Sequence, residues 1–448
     1  MLLTAPFRTH LNLNSARASA LPDNFKQDLA VICEQAANAL PRGVSLRPGA
    51  AATPRTNIKY SSLAEDSLPA CARPFLTLDF TNARRPGRTA ENLTVESCTV
   101  ELYDNTIGVL QLLIEMQPDG EESLFRGIDP TDFDKEMSLL CTSQLSEIYP
   151  SIGKLGWIVG HFAANNPTSS FLPQEKFTIF ANEDGDISGV QELTPRWVSR
   201  ALIVPGKKPS SSDISFIRSW THQPALCGRT HPSEDSCVEF DEATGQFFVG
   251  NSIVCGQLKP LELSALASSF SLSNYFYTIA DIVNSRLTEM ISTSRMSTQG
   301  ERMSMAKQHL ATCSHLDYME CLFNDMWLGL QGHRKKVAVA LFSAWEYGLL
   351  KKSIGSKRLI LDREIAEAIE SRRMRNERLV EVFLASIGGV ALLDFCINLY
   401  AYVQSGTSTP RGLPGLSGIP AIIPIDVSLY SLILAIAVLA IAIVRKGR

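Results

Sequence analysis

The sequence lacks the short motifs by which many enzymes are recognised. It holds no glycine-rich phosphate loop, no Gly-x-Ser-x-Gly elbow and no His-Glu-x-x-His pair. His161 lies near the end of a predicted strand but has no visible nucleophile as a partner. We therefore expect a protein that is not an enzyme.

The sequence also lacks closely spaced cysteine pairs, and its net charge is small. The ten cysteines form no Cys-x-x-Cys motif, which suits free thiols in a reducing compartment rather than a disulfide framework. The net charge is −4, with 42 basic and 46 acidic residues, and this balance argues against nucleic acid as a main partner.

The N-terminus has little acidic charge and no continuous apolar core. No acidic residue precedes Asp23, whereas Arg8, His10 and Arg17 are basic. A secretory signal needs an apolar core, so the sequence argues against one. A basic, acid-poor start leaves an organellar transit peptide as an alternative to a frayed N-terminus.

Long hydrophobic runs stand out at the C-terminal end. Leu379–Val403 and Val427–Val444 are apolar, and at ~1.5 Å per residue both reach across a hydrocarbon core of roughly 30 Å. Glu381 and Asp394 lie within the first run, which leaves a buried helix as its alternative. The pattern predicts a transmembrane hairpin of two helices.

Basic residues flank the predicted hairpin on both outer sides. They are Arg372, Arg373, Arg375 and Arg378 before it and Arg445, Lys446 and Arg448 after it, against Arg411 alone in the connector. By the positive-inside rule both termini are then cytoplasmic. We expect an integral protein of the plasma or inner membrane, with an organellar inner membrane as the alternative.

Residues 1–260 predict a cytoplasmic α+β domain with one sheet and a few helices. Periodicity and capping signals predict helices over Asp23–Leu40 and from Asp129 to about Tyr149. β-Branched residues around an Asp-Asn turn predict a hairpin over Leu93–Met116. The other predicted strands are Phe75–Phe80, Trp157–Phe162, Lys176–Ala181, Arg196–Val204, Val238–Phe240 and Gln246–Val254, with loops over residues 42–74 and 207–232.

Residues 261–378 predict a region of long helices, because proline and glycine are scarce there. Apolar residues recur at helical spacing over residues 261–290, 303–330 and 335–350. The charged stretch Ser356–Arg378 follows, with no helix breaker before the first apolar run. We predict one continuous helix from Ser356 into Leu379–Val403, and a membrane domain over residues 379–448.

Asp394 is a candidate functional residue, because a carboxylate inside a predicted span is costly and marks an ion path by default. Asn398, Ala391 and Ile387 lie on the same helical face, and Gly388 allows close approach of a second helix. This stripe predicts a pore lining that attracts cations. A hydrogen bond from Asp394 to a neighbouring helix is the structural alternative.

Asp129, Asp132, Asp134 and Glu136 are the densest group in an acidic segment. Hard cations such as Mg²⁺ take oxygen ligands from clusters of this kind. The group therefore predicts a site for Mg²⁺ or another divalent cation. Helix capping and a solvated acidic face are the alternative explanation.

Two groups of histidine and cysteine carry zinc-ligand types, but at spacings that match no compact zinc motif. The groups are His222, Cys227, His231 and Cys237, and His309, Cys313, His315 and Cys321. Arg302 and His309 also match the loose Arg/His signature of HEPN ribonucleases. Coincidence is the simpler explanation for these patterns.

The order of these parts and two short stretches resemble the CorA family of divalent-cation channels. The stretches are Ser371–Val380, read SRRMRNERLV, and Leu429–Arg448 at the end of the chain. The resemblance implies a homopentamer whose first span lines the pore and whose cytoplasmic domains bind cations between subunits. The Gly-Met-Asn filter of that family is absent, since Leu399–Gly406 reads LYAYVQSG.

The sequence therefore leaves three functions open. The first is a CorA-like homo-oligomer that passes or senses divalent cations. The second is a membrane-anchored sensor or effector whose cytoplasmic domain binds a ligand or a partner protein. The third is an enzyme domain tethered to the membrane.

Overall fold

A computed structural model describes residues 1–9, 11, 22–48, 74–82, 93–104, 106–116, 125, 128–171, 194–204, 211–221, 236–296 and 299–404. The chain forms two compact units. The first joins Met1–Arg295 to Lys307–Leu361, and the second joins Met296–Ala306 to the residues from Asp362 onward. The first unit contains the whole of the described sheet.

The strands in the described part of the chain form one mixed sheet of nine strands. They are β1 Leu2–Arg8, β2 Ser45–Pro48, β3 Leu76–Asp79, β4 Leu93–Leu102, β5 Ile107–Met116, β6 Ser199–Val204, β7 Cys237–Glu239, β8 Ala243–Phe247 and β9 Asn251–Gly256. Their order is β2-β3-β4-β5-β1-β6-β9-β8-β7. Neighbouring strands are antiparallel except β6 and β9, which are parallel.

Helices connect and cover these strands and then continue beyond them. They are α1 Pro22–Ala39, α2 Pro130–Asn165, α3 Ser211–Thr221, α4 Pro260–Met296, α5 Gln299–Gly329, α6 Gly332–Ala344 and α7 Tyr347–Gln404. The first three alternate with strands, whereas α4 to α7 follow one another without a strand between them. The described strands thus all precede residue 260, and the helices α4 to α7 follow it.

The two halves of the sheet follow one plan. In the first half, β1 leads through α1 to the antiparallel strands β2 to β5, and β5 returns to pair with β1. In the second half, β6 leads through α3 to β7, β8 and β9, and β9 returns to pair with β6. The halves meet where β1 and β6 lie antiparallel at the centre of the sheet.

Apolar side chains cover both faces of the sheet. On one face Leu3 and Phe7 of β1 join a large core that includes Leu29 of α1, Leu145 of α2 and Trp220 of α3. On the other face a smaller core is formed by β1, β6, β7, β8 and β9 together with α4 and α6. The alternation of β1 between the two cores follows from the two-residue period of a strand.

The N-terminal residues form the central strand of the sheet, which the sequence did not predict. The expectation of a frayed end is wrong for these residues, because Leu2–Arg8 pairs with both β5 and β6. Proline is unfavourable in central strands because it cannot donate to the ladder. Pro6 is tolerated because the pairing of β1 with β6 ends at Thr4, and its carbonyl accepts from the Arg196 N–H at 2.8 Å.

Elements with strong local signals are confirmed. Helix α1 matches the prediction over Asp23–Leu40, and β4 and β5 form the predicted hairpin. Helix α2 begins after Asp129, whose carboxylate accepts from the Thr131 and Asp132 N–H groups as a helix cap does. The capping signal therefore located the start of this helix correctly.

Helix α2 continues well past Tyr149, so the predicted strand Trp157–Phe162 is wrong. Buried residues recur along it at three- and four-residue spacing up to Ala163, and Pro150 lies inside it without ending it. The short run of apolar residues near Trp157 is the continuation of this buried helical face. A short apolar run does not by itself distinguish a strand from a helix.

Three further corrections concern turns and loops. The predicted strand Gln246–Val254 is two strands, β8 and β9, which pair with each other around residues 248–250. Strand β2 and helix α3 lie in regions that the sequence predicted as loops. The predicted strand Lys176–Ala181 lies outside the described residues.

Helix α7 confirms the predicted continuity from Ser356 into the first apolar run, because it extends from Tyr347 to Gln404 without interruption. The predicted membrane hairpin is wrong, however. Within the residues that the structure describes, no helix has both the length and the apolar character needed to cross a membrane. Charged side chains occupy α7 before Leu379, and Glu381 follows within its apolar part.

The predictions that depended on this hairpin change with it. An integral membrane location with both termini cytoplasmic is not supported, because it rested on two spans. The second predicted span, Val427–Val444, lies outside the described residues. The fold class is therefore a mixed α/β protein with a nine-stranded sheet followed by long helices.

Candidate metal centre

Three side chains from distant parts of the chain converge at one edge of the sheet. Asp241 lies in the turn between β7 and β8, Glu262 in the first turn of α4 and His333 in the first turn of α6. Their possible ligand atoms all lie within 4.8 Å of one another. We call this group the turn cluster.

The turn that carries Asp241 is held by a close backbone contact. Phe240 N–H donates to the Ala243 carbonyl at 2.9 Å, and Ala243 pairs with Gly256 of β9. Gly256 has a φ of +123°, and a Cβ there would lie 2.3 Å from the Glu242 carbonyl oxygen. Only glycine fits this conformation and this approach, so Gly256 fixes the position of the turn.

Glu262 is buried and ties the turn to the start of α4. Pro260 occupies the first helical position, where its missing N–H has no cost. The Glu262 carboxylate accepts from the Lys259 N–H at 2.8 Å, as the glutamate of a capping box does, and from the Asp241 N–H at 2.9 Å. This side chain is therefore held in place by backbone groups on both sides.

His333 completes the turn cluster from the opposite helix. It follows Gly332, whose φ of +57° turns the chain into α6, and its ring stacks on Phe240 with centroids 5.3 Å apart. Its Nε2 lies 3.8 Å from Oε1 of Glu262 and 3.9 Å from Oδ1 of Asp241. Its Nδ1 is buried and makes no hydrogen bond within the described part of the protein.

Lys259 supplies a positive charge at the rim of the turn cluster. Its Nζ lies 2.6 Å from Oδ2 of Asp241. This hydrogen bond lowers the pKa of the Asp241 carboxyl and raises the pKa of the Lys259 ammonium. Both groups are exposed, so the pair is screened by water and contributes little to stability.

The donor set of the turn cluster fits a divalent metal ion. One imidazole and two carboxylates are ligands that Zn²⁺ and other first-row ions accept, whereas Mg²⁺ prefers an all-oxygen set with water. Around a tetrahedral ion with bonds of ~2.0–2.1 Å, neighbouring ligand atoms are about 3.3 Å apart. The two separations from His333 Nε2 exceed this value by about half an ångström, so a small inward movement of the three side chains would give three protein ligands, with further positions open to water.

The four carboxylates predicted as a metal site take different roles. Asp129 caps α2, and the N–H groups of Thr131 and Asp132 lower the pKa of its carboxyl. Asp132 contacts Lys135 on the surface, Asp134 points inward and Glu136 is exposed. Among the described residues no three of these carboxylates lie close enough to share an ion.

Asp134 belongs to a buried polar network on the core side of α2. Arg200 Nε lies 3.4 Å from its Oδ1, and Trp220 Nε1 donates to the same oxygen at 2.7 Å. Arg200 also donates to Ser138 Oγ at 2.8 Å and to Asn251 Oδ1 at 3.2 Å. Burial lowers the pKa of the Arg200 guanidinium, and the charge of Asp134 opposes that change.

The predicted pore residues all lie in α7. Ile387 and Gly388 are exposed, and a Cβ on Gly388 would meet no atom within 4 Å. Ala391, Asp394 and Asn398 follow in the same helix, and their side chains are not described. The role of these residues as a pore lining therefore stays a prediction.

The histidine and cysteine groups are only partly described. His222, Cys227 and His231 lie outside the described residues, and Cys237 is exposed on β7. In α5, Cys313 Sγ lies 3.4 Å from His309 Nε2, one helical turn away. His161 lies within α2 rather than at the end of a strand, and it contacts Asn165 of the same helix.

The turn cluster escaped the sequence analysis because its members are far apart in the chain. Glu262 follows Asp241 by 21 residues, and His333 comes from a helix beyond α5. The Lys-Pro-x-Glu start of α4 was the available signal, but it indicates a helix cap rather than a ligand.

Comparisons with protein-family models, with curated proteins and with solved structures found no match. The resemblance to the CorA family therefore stays a prediction. The geometry of the turn cluster is the feature that most directly suggests a function.

Proposed function

We propose that this protein binds a divalent transition-metal ion at Asp241, Glu262 and His333 and thereby senses that ion. The observation that carries the proposal is the convergence of one imidazole and two carboxylates within 4.8 Å. The proposal keeps the expectation that the protein senses a cation. The ion is one that accepts an imidazole ligand, such as Zn²⁺, rather than Mg²⁺. The proposal involves neither conduction nor a membrane.

The proposed ion would act on conformation because its ligands belong to three separate elements. It would link the β7–β8 turn to the first turns of α4 and α6. An ion that binds the folded state alone stabilises it by about 2.7 kcal/mol when its free concentration is 100 times Kd. Sensing would consist of fixing these three elements together when the ion is present.

Zn²⁺ should bind the full chain with one site at the turn cluster. We expect His333→Ala and Asp241→Asn to weaken that binding more than about 100-fold, because loss of an outer-sphere partner alone costs 10–100-fold. Lys259→Met should strengthen it no more than severalfold, because it removes the ammonium group that pairs with the Asp241 carboxylate, and an exposed pair of this kind contributes little. Isothermal titration with Zn²⁺, Mn²⁺ and Mg²⁺ measures these changes.

The matched control is His161→Ala, which removes an exposed histidine of α2 far from the turn cluster in the sequence. It should leave the high-affinity Zn²⁺ site intact. If His333→Ala and Asp241→Asn bind Zn²⁺ like the parent, the ion is held elsewhere. If the parent binds no divalent ion, the turn cluster is an ion-pair and capping network only.

We also propose that the protein self-associates through α7. The supporting observation is the set of large apolar side chains that α7 exposes in its second half: Leu379, Val380, Phe383, Leu384, Ile387 and Val390. A contiguous exposed apolar surface of this kind marks an interaction site. The expected partner is a second copy of the same helix.

The spacing on α7 fits a parallel coiled coil. Val380, Phe383, Ile387 and Val390 repeat at intervals of three and four residues, which places them on one seam. In that register Arg372 occupies a g position and Glu377 an e position. Arg372 would then face Glu377 of the second copy, in competition with the ion pair at 2.9 Å that Glu377 makes with Arg373 of its own helix.

Val380→Glu with Phe383→Glu should weaken self-association of the full chain by at least about 100-fold. Each buried apolar side chain is worth about 1.5–3 kcal/mol, and the added carboxylates repel across the seam. Met374→Glu is the control, because Met374 is exposed on α7 at a b position, away from this seam. Analytical ultracentrifugation would refute the proposal if the parent is a monomer or if both changes have equal effects.

A further inference from the structure

A small cavity lies between α4, α5 and α7 in the first unit. Its volume is about 120 Å³, and its lining includes the exposed residues Glu320 of α5 and Gly355 of α7. Its floor is apolar and includes Phe276 of α4, Met319 and Phe323 of α5, and Tyr347 of α7. An apolar cavity of about 150 Å³ holds one benzene molecule, so this one suits a side chain of four to six carbons.

Aromatic rings give the floor a rigid shape. Phe323 meets Phe276 edge to face with centroids 5.3 Å apart, and it lies 5.1 Å from the ring of Tyr347. Tyr347 is buried, and burial raises the pKa of its hydroxyl. The floor therefore offers apolar contact and no charge.

Two opposite charges meet at the rim of this cavity. Lys351 Nζ lies 3.2 Å from Oε1 of Glu320 and 5.3 Å from the centre of the Phe323 ring. Two turns farther along α7, Arg358 also lines the rim and holds Asp317 with both of its terminal nitrogens, at 2.6 and 3.2 Å. The Lys351–Glu320 pair is partly exposed, so a ligand can compete for both of its members.

We infer that this cavity binds a free α-amino acid with an apolar side chain. The side chain would occupy the floor between Phe276, Phe323 and Tyr347. The ligand carboxylate would pair with Lys351, and its ammonium group would pair with Glu320. A zwitterion matches this rim because it replaces both halves of the existing ion pair at once and leaves neither charge unpaired.

Two simpler ligand classes fit the rim less well. An apolar carboxylate would pair with Lys351 but place a second negative charge beside Glu320. An apolar amine would pair with Glu320 but place a second positive charge beside Lys351. Like charges in contact disfavour binding, and this contrast makes the inference testable with ligands of equal shape.

The test compares leucine with two analogues on the full chain, by ligand-detected NMR and isothermal titration. 4-Methylpentanoate lacks the ammonium group, and 3-methylbutylamine lacks the carboxylate. We expect leucine or methionine to bind saturably, and each leucine analogue to bind at least tenfold more weakly than leucine. Absence of binding by both amino acids, or equal binding by either analogue, would overturn the inference.

Gly355 allows a matched pair of variants. It lines the cavity mouth in α7, and a Cβ there would meet no atom within 4 Å. Gly355→Leu should therefore fill the mouth and abolish saturable binding, while Gly348→Leu on the same helix should leave it unchanged, because Gly348 also has open space but does not line the cavity. Equal binding by both variants would place any amino-acid site elsewhere.

Discussion

Replacing Arg200 with methionine should lower the free energy of unfolding by about 3–5 kcal/mol. Arg200 is buried, and it holds Asp134, Ser138 and Asn251 in one network. Methionine fills much of the same volume but leaves the Asp134 carboxylate without its counter-charge. Urea denaturation followed by circular dichroism measures the change.

The matched control is Lys135→Met, which removes the partner of Asp132 on the exposed side of α2. We expect a change within about 0.5 kcal/mol, because an exposed ion pair of this kind contributes little. The double replacement Arg200→Met with Asp134→Leu should recover part of the loss, since it leaves no uncompensated charge. If Arg200→Met and Lys135→Met have equal effects, the network around Arg200 is not a main source of stability.

Replacing Gly256 with alanine should cost about 3 kcal/mol or more and should also weaken metal binding. Alanine is strained at a φ of +123°, which costs of order 1–3 kcal/mol before any contact is considered. Its Cβ would overlap the Glu242 carbonyl oxygen at 2.3 Å. Relief of that overlap displaces the β7–β8 turn and hence Asp241 from the turn cluster.

Gly153→Ala provides a control of opposite sign. Gly153 lies within α2, where a Cβ would meet no atom within 4 Å, so alanine should stabilise the protein by about 0.5–1 kcal/mol. Thermal unfolding with and without Zn²⁺ separates the two consequences of Gly256→Ala. A variant that loses stability but keeps parental Zn²⁺ affinity would show that this glycine does not position the metal ligands.

The sequence predicted those elements whose signals are local. Helix α1 shows a clear apolar period, α2 has a complete cap at Asp129, and the β4–β5 hairpin joins two β-rich runs at a tight turn. Strand β1 gives no such signal, because its partners β5 and β6 are about a hundred residues or more away. Its role depends on pairing that a local pattern does not encode.

The difference between local signals and long-range contacts also explains the outcome for the turn cluster and for the C-terminal region. Asp241, Glu262 and His333 are brought together by the β8–β9 pairing and by the starts of two helices, so their spacing carries no recognisable motif. The membrane prediction rested on apolar content. In the described part of α7, the apolar residues from Leu379 onward include the charged Glu381, and they follow a long charged segment of the same helix.

The central position of β1 has a consequence for synthesis on the ribosome. Leu2 pairs with Leu113 on one side and with Ala201 on the other, so a strand that emerges well before both of its partners is needed for the middle of the sheet. At ~5–20 residues per second, roughly 10–40 s pass before its second partner exists. During that time an apolar segment is exposed on the nascent chain, and we expect this protein to depend on chaperones that bind early and release late.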